Sequence, residues 1–376
     1  MFSKNFTYQY CPILAVSQSE LLGLKELPEK DKDLILPIFP LKSWASSKEL
    51  KNSISKIEES IGKHRKWIAD IDYEDLFERD KGSYRPVHHA LLKLTEPSEG
   101  FKNWCEFIKD NINIIPCVQL KDLSQMEEQV EQLSVLHRGI VVILKHADIE
   151  SQSYKTILPN LKKVSDLLVI LDLEQITKEH VALSSQISMY MKSIKTLLPH
   201  ALVSLSSTSF PDSFGGYYKG VKSIYERALF DKVKATITDL IYSDRGSARA
   251  IKMSGGAGVP PPRIDYACRN EWNFIRMEFS ELSPLLTKTE KQAQIRKEKK
   301  ELYTKISIEI MNETYWENEL ALWSNYTTEL TSEGGEFDVI NSAQKATAVR
   351  INKHLHTQLH YNAIASINDT EDDWED

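Results

Sequence analysis

Seven side chains able to move protons or anchor charge close short apolar runs of this chain. Asp70 and Asp72 end Trp67-Ile-Ala-Asp-Ile-Asp72, and Asp172 and Glu174 end Leu168-Val-Ile-Leu-Asp-Leu-Glu174. Lys145 follows the run 140–144, and Asp244-Arg245 follows the run 237–242. If these runs are strands, alternate side chains face opposite sides. Ile68, Asp70 and Asp72 then share a face, Asp172 and Glu174 fall together, and Lys145 follows Val141 and Ile143. Several carboxylates in one low-dielectric mouth need a cation. Either Lys42, Lys145 and Arg245 neutralise them, or a divalent ion does. In the second case Asp72, Asp172 and Asp244 are the ligand set, and Mg²⁺ or Mn²⁺ suits such oxygen donors. Carboxyls in this setting can also divide acid and base roles through separated pKa values. A purely structural salt-bridge network is the competing reading, and the spacings carry no metal-specific signature.

The elements that must position these groups are about eight apolar runs: 12–16, 34–39, 67–71, 114–118, 140–144, 167–171, 201–205 and 237–242. Each is five or six residues long and rich in Ile, Val and Leu, the pattern of strands covered on both faces. Amphipathic stretches alternate with them. Residues 48–64 place Leu50, Ile54, Ile57 and Ile61 at helical steps, 98–110 behave alike, and 122–136 carry Asp122 and Ser124 as caps. Strand alternating with helix over about 250 residues predicts a TIM-like (β/α)8 barrel at residues 1–252. An open doubly wound sheet is the alternative, disfavoured because no Gly-rich fingerprint follows the first strand. In a barrel the polar residues gather at the C-terminal rim, where barrel sites are built.

Residues 253–262 break every periodic pattern and predict a linker. Beyond it, 263–366 predict an α+β extension: a hairpin around Arg269-Asn-Glu-Trp272, a basic helix over 287–311, and a helix over 315–330 with Trp316, Leu320, Trp323 and Tyr326 as an aromatic stripe. His354, His356 and His360 follow; His356 and His360 are one helical turn apart, a spacing that can hold zinc, without the Glu of a metalloprotease motif or a cysteine pair, and polar residues of a terminal helix are the competing reading. The acidic residues 367–376, with Trp374 among carboxylates, predict a disordered tail.

Net charge is −7, which disfavours general nucleic-acid binding while leaving a local basic face available. Cys11, Cys105, Cys117 and Cys268 show no paired spacing, which fits a reduced cytoplasmic protein. Neither a signal peptide nor an apolar run of membrane-spanning length is visible, and no nucleophile elbow, P-loop or kinase motif is present.

Several short motifs occur together: Tyr10-Cys-Pro-Ile-Leu with Ser19-Glu-Leu-Leu-Gly-Leu-Lys25, Ile35-Leu-Pro-Ile38, Ser209-Phe-Pro211, Glu226-Arg227, Tyr242-Ser-Asp244 and Asn352-Lys-His354. Over residues 8–362 the chain resembles the beta protein family of T-even phages and bacterial relatives. Where members carry Gly-Asp-Tyr near the eighth strand, this chain has Ser243-Asp-Arg245, so Asp244 matches and its flanks do not. The resemblance implies a barrel-like fold and occurrence in phages and mobile or defence-linked loci; it supplies no activity.

Rim and resemblance together point to a cytosolic barrel protein of phage–host conflict, in antiviral defence or its counterpart. It would bind a phosphorylated or nucleic-acid-related ligand, a nucleotide included, or a protein partner at the rim. Two alternatives stand beside this. One is a metal-dependent phosphodiester hydrolase, with Asp70, Asp72, Asp172, Glu174 and Asp244 on the ion and Lys145 or Arg245 stabilising charge. The other is a structural adaptor subunit of a defence complex, using the basic helix and acidic tail. The sequence leaves enzymatic activity open.

Overall fold

Apolar runs that offer no polar face pair into parallel strands whose both sides are covered. In the computed structural model, which describes residues 6–214, 216–250, 259–281 and 287–363, these strands form two parallel sheets. The first is β1 (Ile38–Leu41), β2 (Trp67–Ile71) and β3 (Ile114–Pro116), in that order. The second is β4 (Ile140–Lys145), β5 (Leu167–Gln175), β6 (Leu202–Thr208) and β8 (Leu240–Tyr242); the intervening β7 (Lys219–Ser223) belongs to a third sheet. Helices fill the crossovers, among them Lys51–Ile61, Ser98–Asp110, Met126–Ser134, Ser184–Leu197 and Tyr225–Lys234. The fold is α/β with parallel sheets.

Among the described residues the two parallel ladders are not joined into one closed sheet. Between them lie single bridges: Cys117 with Val141, Tyr10 with Ile35 and with Tyr242, and Ile13 with Ile38. The run 12–16 thus contributes bridges where a full strand was expected, with Cys11 N donating to Tyr242 O at 2.9 Å and Ile13 N to Asp244 O at 2.8 Å. Proline supplies the reason. Pro12, Pro37 and Pro116 lie in these runs and Pro40 in β1, and a residue without an N–H interrupts a ladder.

Cys11, Ile13, Ile38, Ile68, Ile115, Cys117, Val141, Leu168, Ile170 and Ile241 form one buried cluster. On β2 the face that starts with Ile68 continues to Asp70, and on β5 the face of Leu168 and Ile170 continues to Asp172. Each strand therefore runs from an apolar floor to a charged end.

Contacts divide the chain into two units. The first comprises Met1–Ser17, Lys32–Ser209 and Tyr225–Ala250, and holds both parallel sheets. The second gathers Gln18–Asp31, Phe210–Ile224 and the chain from Ile251 onward. In the second unit β9 (Arg263–Ala267) and β10 (Glu271–Arg276) form an antiparallel hairpin, with β7 on the other edge of β10. Ile264, Tyr266 and Ile275 of this sheet pack with Tyr303, Ile306 and Ile310 of the helix Lys288–Met311 and Val349 of the helix Ala343–Leu359. The long helix begins as expected, with Thr287 and Glu290 in a capping box. The following helix is shorter than expected, Trp323–Ser332. Trp316 and Trp323 pack against this unit's own core. Gly23 lets the helix Gln18–Lys25 lie against Ala343–Leu359: a Cβ there would meet Ala348 O at 2.8 Å. The Gly-rich part of the expected linker and the acidic tail with Trp374 lie outside the described residues.

Candidate functional site

At the C-terminal ends of the parallel strands three cation–carboxylate pairs form. Arg245 donates to Asp172 at 2.5 Å, Lys145 pairs with Glu174 at 2.9 Å, and Lys42 lies 3.8 Å from Asp72. Register explains part of this meeting, because Lys145 on β4 stands opposite Asp172 on β5, and Asp172 stands opposite Ser206 on β6. The pairs differ in environment. Asp172 is almost wholly buried, whereas the Lys145 and Glu174 side chains are 59% and 39% exposed. Only the first is a low-dielectric pair, with a correspondingly stronger interaction.

Two residues depart from the parity that the sequence implied. The register of β5 shifts between Asp172 and Gln175, and Glu174 is left-handed at φ 57°. Asp172 accepts the Glu174 amide at 3.0 Å across this bulge. The extra turn breaks the two-residue period, so Glu174 reaches outward to Lys145. Asp72 is the N-cap of the helix Tyr73–Phe77 and accepts from Asp75 N at 2.9 Å. An Asp at this position satisfies an otherwise orphaned helix amide.

Asp70 accepts the Ile71 amide at 2.8 Å. Burial pushes its pKa up to about 6, against the opposing pull of that amide and of Lys145, with Asp72 adding to the rise. Nearby on the chain, Tyr73 donates its hydroxyl to Gln119 Oε1. Two buried donors at strand ends, Gln119 Nε2 and Ser206 Oγ, have no hydrogen-bond partner among the described residues.

Asp244 belongs to a different arrangement. It is wholly buried and accepts the hydroxyls of Tyr10 and, at 2.9 Å, Tyr242, together with the Gly246 amide at 2.8 Å. Burial, then the Asp244 charge, holds both phenols well above their usual range. Beside them is Glu226, which the sequence reading did not single out as a site residue. Its carboxyl accepts the Ser209 amide at 2.9 Å and the Ser209 hydroxyl, while its Oε1 has no hydrogen-bond partner among the described residues. Burial pushes Glu226 up to about 8 despite the Ser209 hydroxyl, and the Asp244 charge adds to the rise. Arg227 lies 3.5 Å from the Tyr242 ring centroid, a cation–π contact. The available sequence signal was helical spacing: Glu226 shares the buried face of Leu229, Phe230 and Val233.

Asp72, Asp172 and Asp244, the expected metal set, do not converge. Among the described residues, the group of possible ligands whose atoms all lie within 4.8 Å of one another is Asp31, His356 and His360, in the second unit. That unit also contains a cavity of about 310 Å³ lined by Arg263, Arg276, Arg350, Asp265 and Tyr303. Asp265 is bound there by Arg350 at 2.7 Å and Arg263 at 2.7 Å. No described helix is long and apolar enough to cross a membrane.

The Beta protein family model matches residues 10–360. Protein beta of Enterobacteria phage P4 is 28% identical over 279 residues, covering 72% of this chain and 75% of that protein; this relative comes from phage P4 and not from a T-even phage. Among solved structures, the biosynthetic arginine decarboxylase of Campylobacter jejuni aligns over 94% of this chain at 9% identity with a TM-score of 0.27. The chain spans 56% of that protein's length, and so loose a superposition identifies no shared fold.

Proposed function

The chain belongs to the Beta protein family, and from that premise we propose that it is a cytoplasmic, phage-linked protein that binds an oxygen-rich anion at the C-terminal ends of its parallel strands. The ligand class is a phosphorylated or nucleic-acid-related molecule. The observation that carries this is the row Lys145, Asp172 and Ser206 with Arg245 paired to Asp172, where two cations sit beside a buried hydroxyl without a hydrogen-bond partner among the described residues. A guanidinium bound to a carboxylate can transfer its paired donors to a phosphate. We also read the two parallel sheets as parts of one barrel. The single bridges from Cys117 to Val141 and from Tyr10 to Tyr242 support that reading.

The test is binding of inorganic phosphate, nucleoside triphosphates and a short single-stranded DNA, each followed by thermal denaturation and calorimetry at low salt. At least one probe should stabilise the chain, and Arg245→Ala should remove that gain. A response absent for every probe, or unchanged in Arg245→Ala, overturns the proposal.

A second reading, phosphodiester hydrolysis, draws support from Asp70 and Glu226, which burial keeps able to exchange protons near neutrality. Its form with Asp72, Asp172 and Asp244 around one ion has no geometric support. Turnover of a phosphodiester by the wild type, lost in Asp70→Asn, would favour this second reading over simple binding. Action in phage–host conflict, for either side, through a protein partner or as an adaptor, is part of the proposal that co-purification from infected cells addresses.

A further inference from the structure

We propose that Asp31, His356 and His360 form a binding site for one divalent transition-metal ion of the zinc class. All three residues belong to the second unit. His356 and His360 stand one turn apart on the helix Ala343–Leu359 and its C-cap, and the carboxylate comes from more than 320 residues earlier in the chain. His356 Nδ1 lies 2.7 Å from Asp31 Oδ2, and His360 Nε2 lies 2.8 Å from Asp31 Oδ1. The rings present opposite nitrogens to the same carboxyl group. Their centroids are 4.6 Å apart and their planes inclined at 48°, a tilted arrangement rather than a parallel stack.

The donor atoms all lie within 4.8 Å of one another. An ion bonded at about 2.0–2.2 Å to each needs its ligand atoms roughly 3 to 3.5 Å apart. Small side-chain rotations, opening the two nitrogen–oxygen distances by a few tenths of an ångström, would admit it. Two imidazole nitrogens with one carboxylate are borderline donors. They suit Zn²⁺, Co²⁺, Ni²⁺ or Fe²⁺ better than Mg²⁺ or Ca²⁺, which prefer all-oxygen shells. The depth of the site grades outward: Asp31 is wholly buried, His356 nearly so, and the His360 side chain is 35% exposed. Three protein ligands with one side toward solvent leave a coordination position for water, the pattern of an open zinc site.

The backbone around the site is held independently of any ion. The Gln18–Lys25 helix and Ala343–Leu359 approach closely at Gly23, and Asn352 Nδ2 donates to Gly23 O at 3.0 Å. This contact fixes the segment that leads to Asp31 against the helix that carries both histidines. Preorganisation of this kind lowers the ordering cost of ligation. The ion would also tie residues 31 and 360 together, and a tie that closes a long stretch of chain restricts the unfolded state most.

The experiment uses the full chain stripped with a chelator and titrated with Zn²⁺ alone, against a chromophoric competitor. The expected result is one Zn²⁺ per chain, with affinity weakened at least about 100-fold in His356→Ala and in His360→Ala, more than loss of an outer-shell partner costs. Because either substitution could disturb folding, the unmutated chain is also loaded with Co²⁺, whose X-ray absorption should show two imidazoles. No zinc uptake, uptake unaffected in both histidine variants, or a Co²⁺ shell without imidazole would each overturn the site. The three residues would then be a hydrogen-bonded His–Asp–His cluster.

Discussion

Replacing Glu226 by Gln should flatten the dependence of stability on pH. The folded protein holds this carboxyl at about 8, against an ordinary value of 4.5. A raised folded value means that the native state binds the proton more tightly than the unfolded chain. The contribution is therefore fully present below about pH 4.5 and is lost progressively as pH rises to about 8. Each pH unit in that window changes stability by about 1.4 kcal/mol, giving an upper figure of roughly 5 kcal/mol across it. Asp70, raised to about 6, slopes the same way below that pH, but it does so in both proteins and cancels in the difference. Gln is nearly isosteric and never ionises. Urea unfolding of wild type and Glu226→Gln, at intervals from about pH 5 to about pH 8, should therefore diverge. The variant gains on the wild type by about 1.4 kcal/mol per unit. Parallel profiles would refute both the burial of a titrating carboxyl here and the proton chemistry assigned to it.

Four further substitutions follow from the geometry. Arg245→Ala leaves Asp172 buried without its cation and should lower stability by about 3 kcal/mol or more, whereas Lys145→Ala, at an exposed pair, should cost less than about 1 kcal/mol; equal shifts in urea midpoint would contradict that contrast. Tyr10→Phe removes a hydroxyl from the buried Asp244 and should cost about 1–3 kcal/mol, which calorimetric melting at neutral pH measures; an unchanged melting temperature would count against that bond. Gly100 has φ 64°, and a Cβ there would approach the Gln129 amide nitrogen to 2.8 Å. Gly100→Ala should therefore destabilise by more than about 1 kcal/mol, and a wild-type urea midpoint would show that the backbone is not so constrained.

Most strand positions beyond the first two runs were legible because runs of Ile, Val and Leu have one solution when both faces are covered. Ladder continuity was not: Pro12, Pro40 and Pro116 fit an apolar reading yet remove the donors that a ladder requires. Parity located Asp70 and Asp172 on the face that continues the apolar core, as long as register was unbroken. It failed at Glu174, where a left-handed residue resets the period, and no local signal for that bulge exists in Asp-Leu-Glu-Gln. Asp72 carries a local signal of its cap role, since Asp ahead of Tyr-Glu-Asp is a helix start. Of the Asp31, His356 and His360 cluster, the helical spacing of the histidines was readable and the third member was not. Partners separated by hundreds of residues leave no trace in periodicity, which also hid the Tyr10 and Asp244 pairing.

The second unit's division among distant stretches has a consequence on the ribosome. Leu21 and Leu24, buried in the folded chain, emerge early. Yet the helix against which their segment lies closes its contact with Asp31 only after another 325 to 329 residues. At about 5–20 residues per second, that interval lasts from roughly a quarter of a minute to a minute. Throughout it an apolar helix face of the nascent chain waits without its neighbour, a natural target for a holding chaperone.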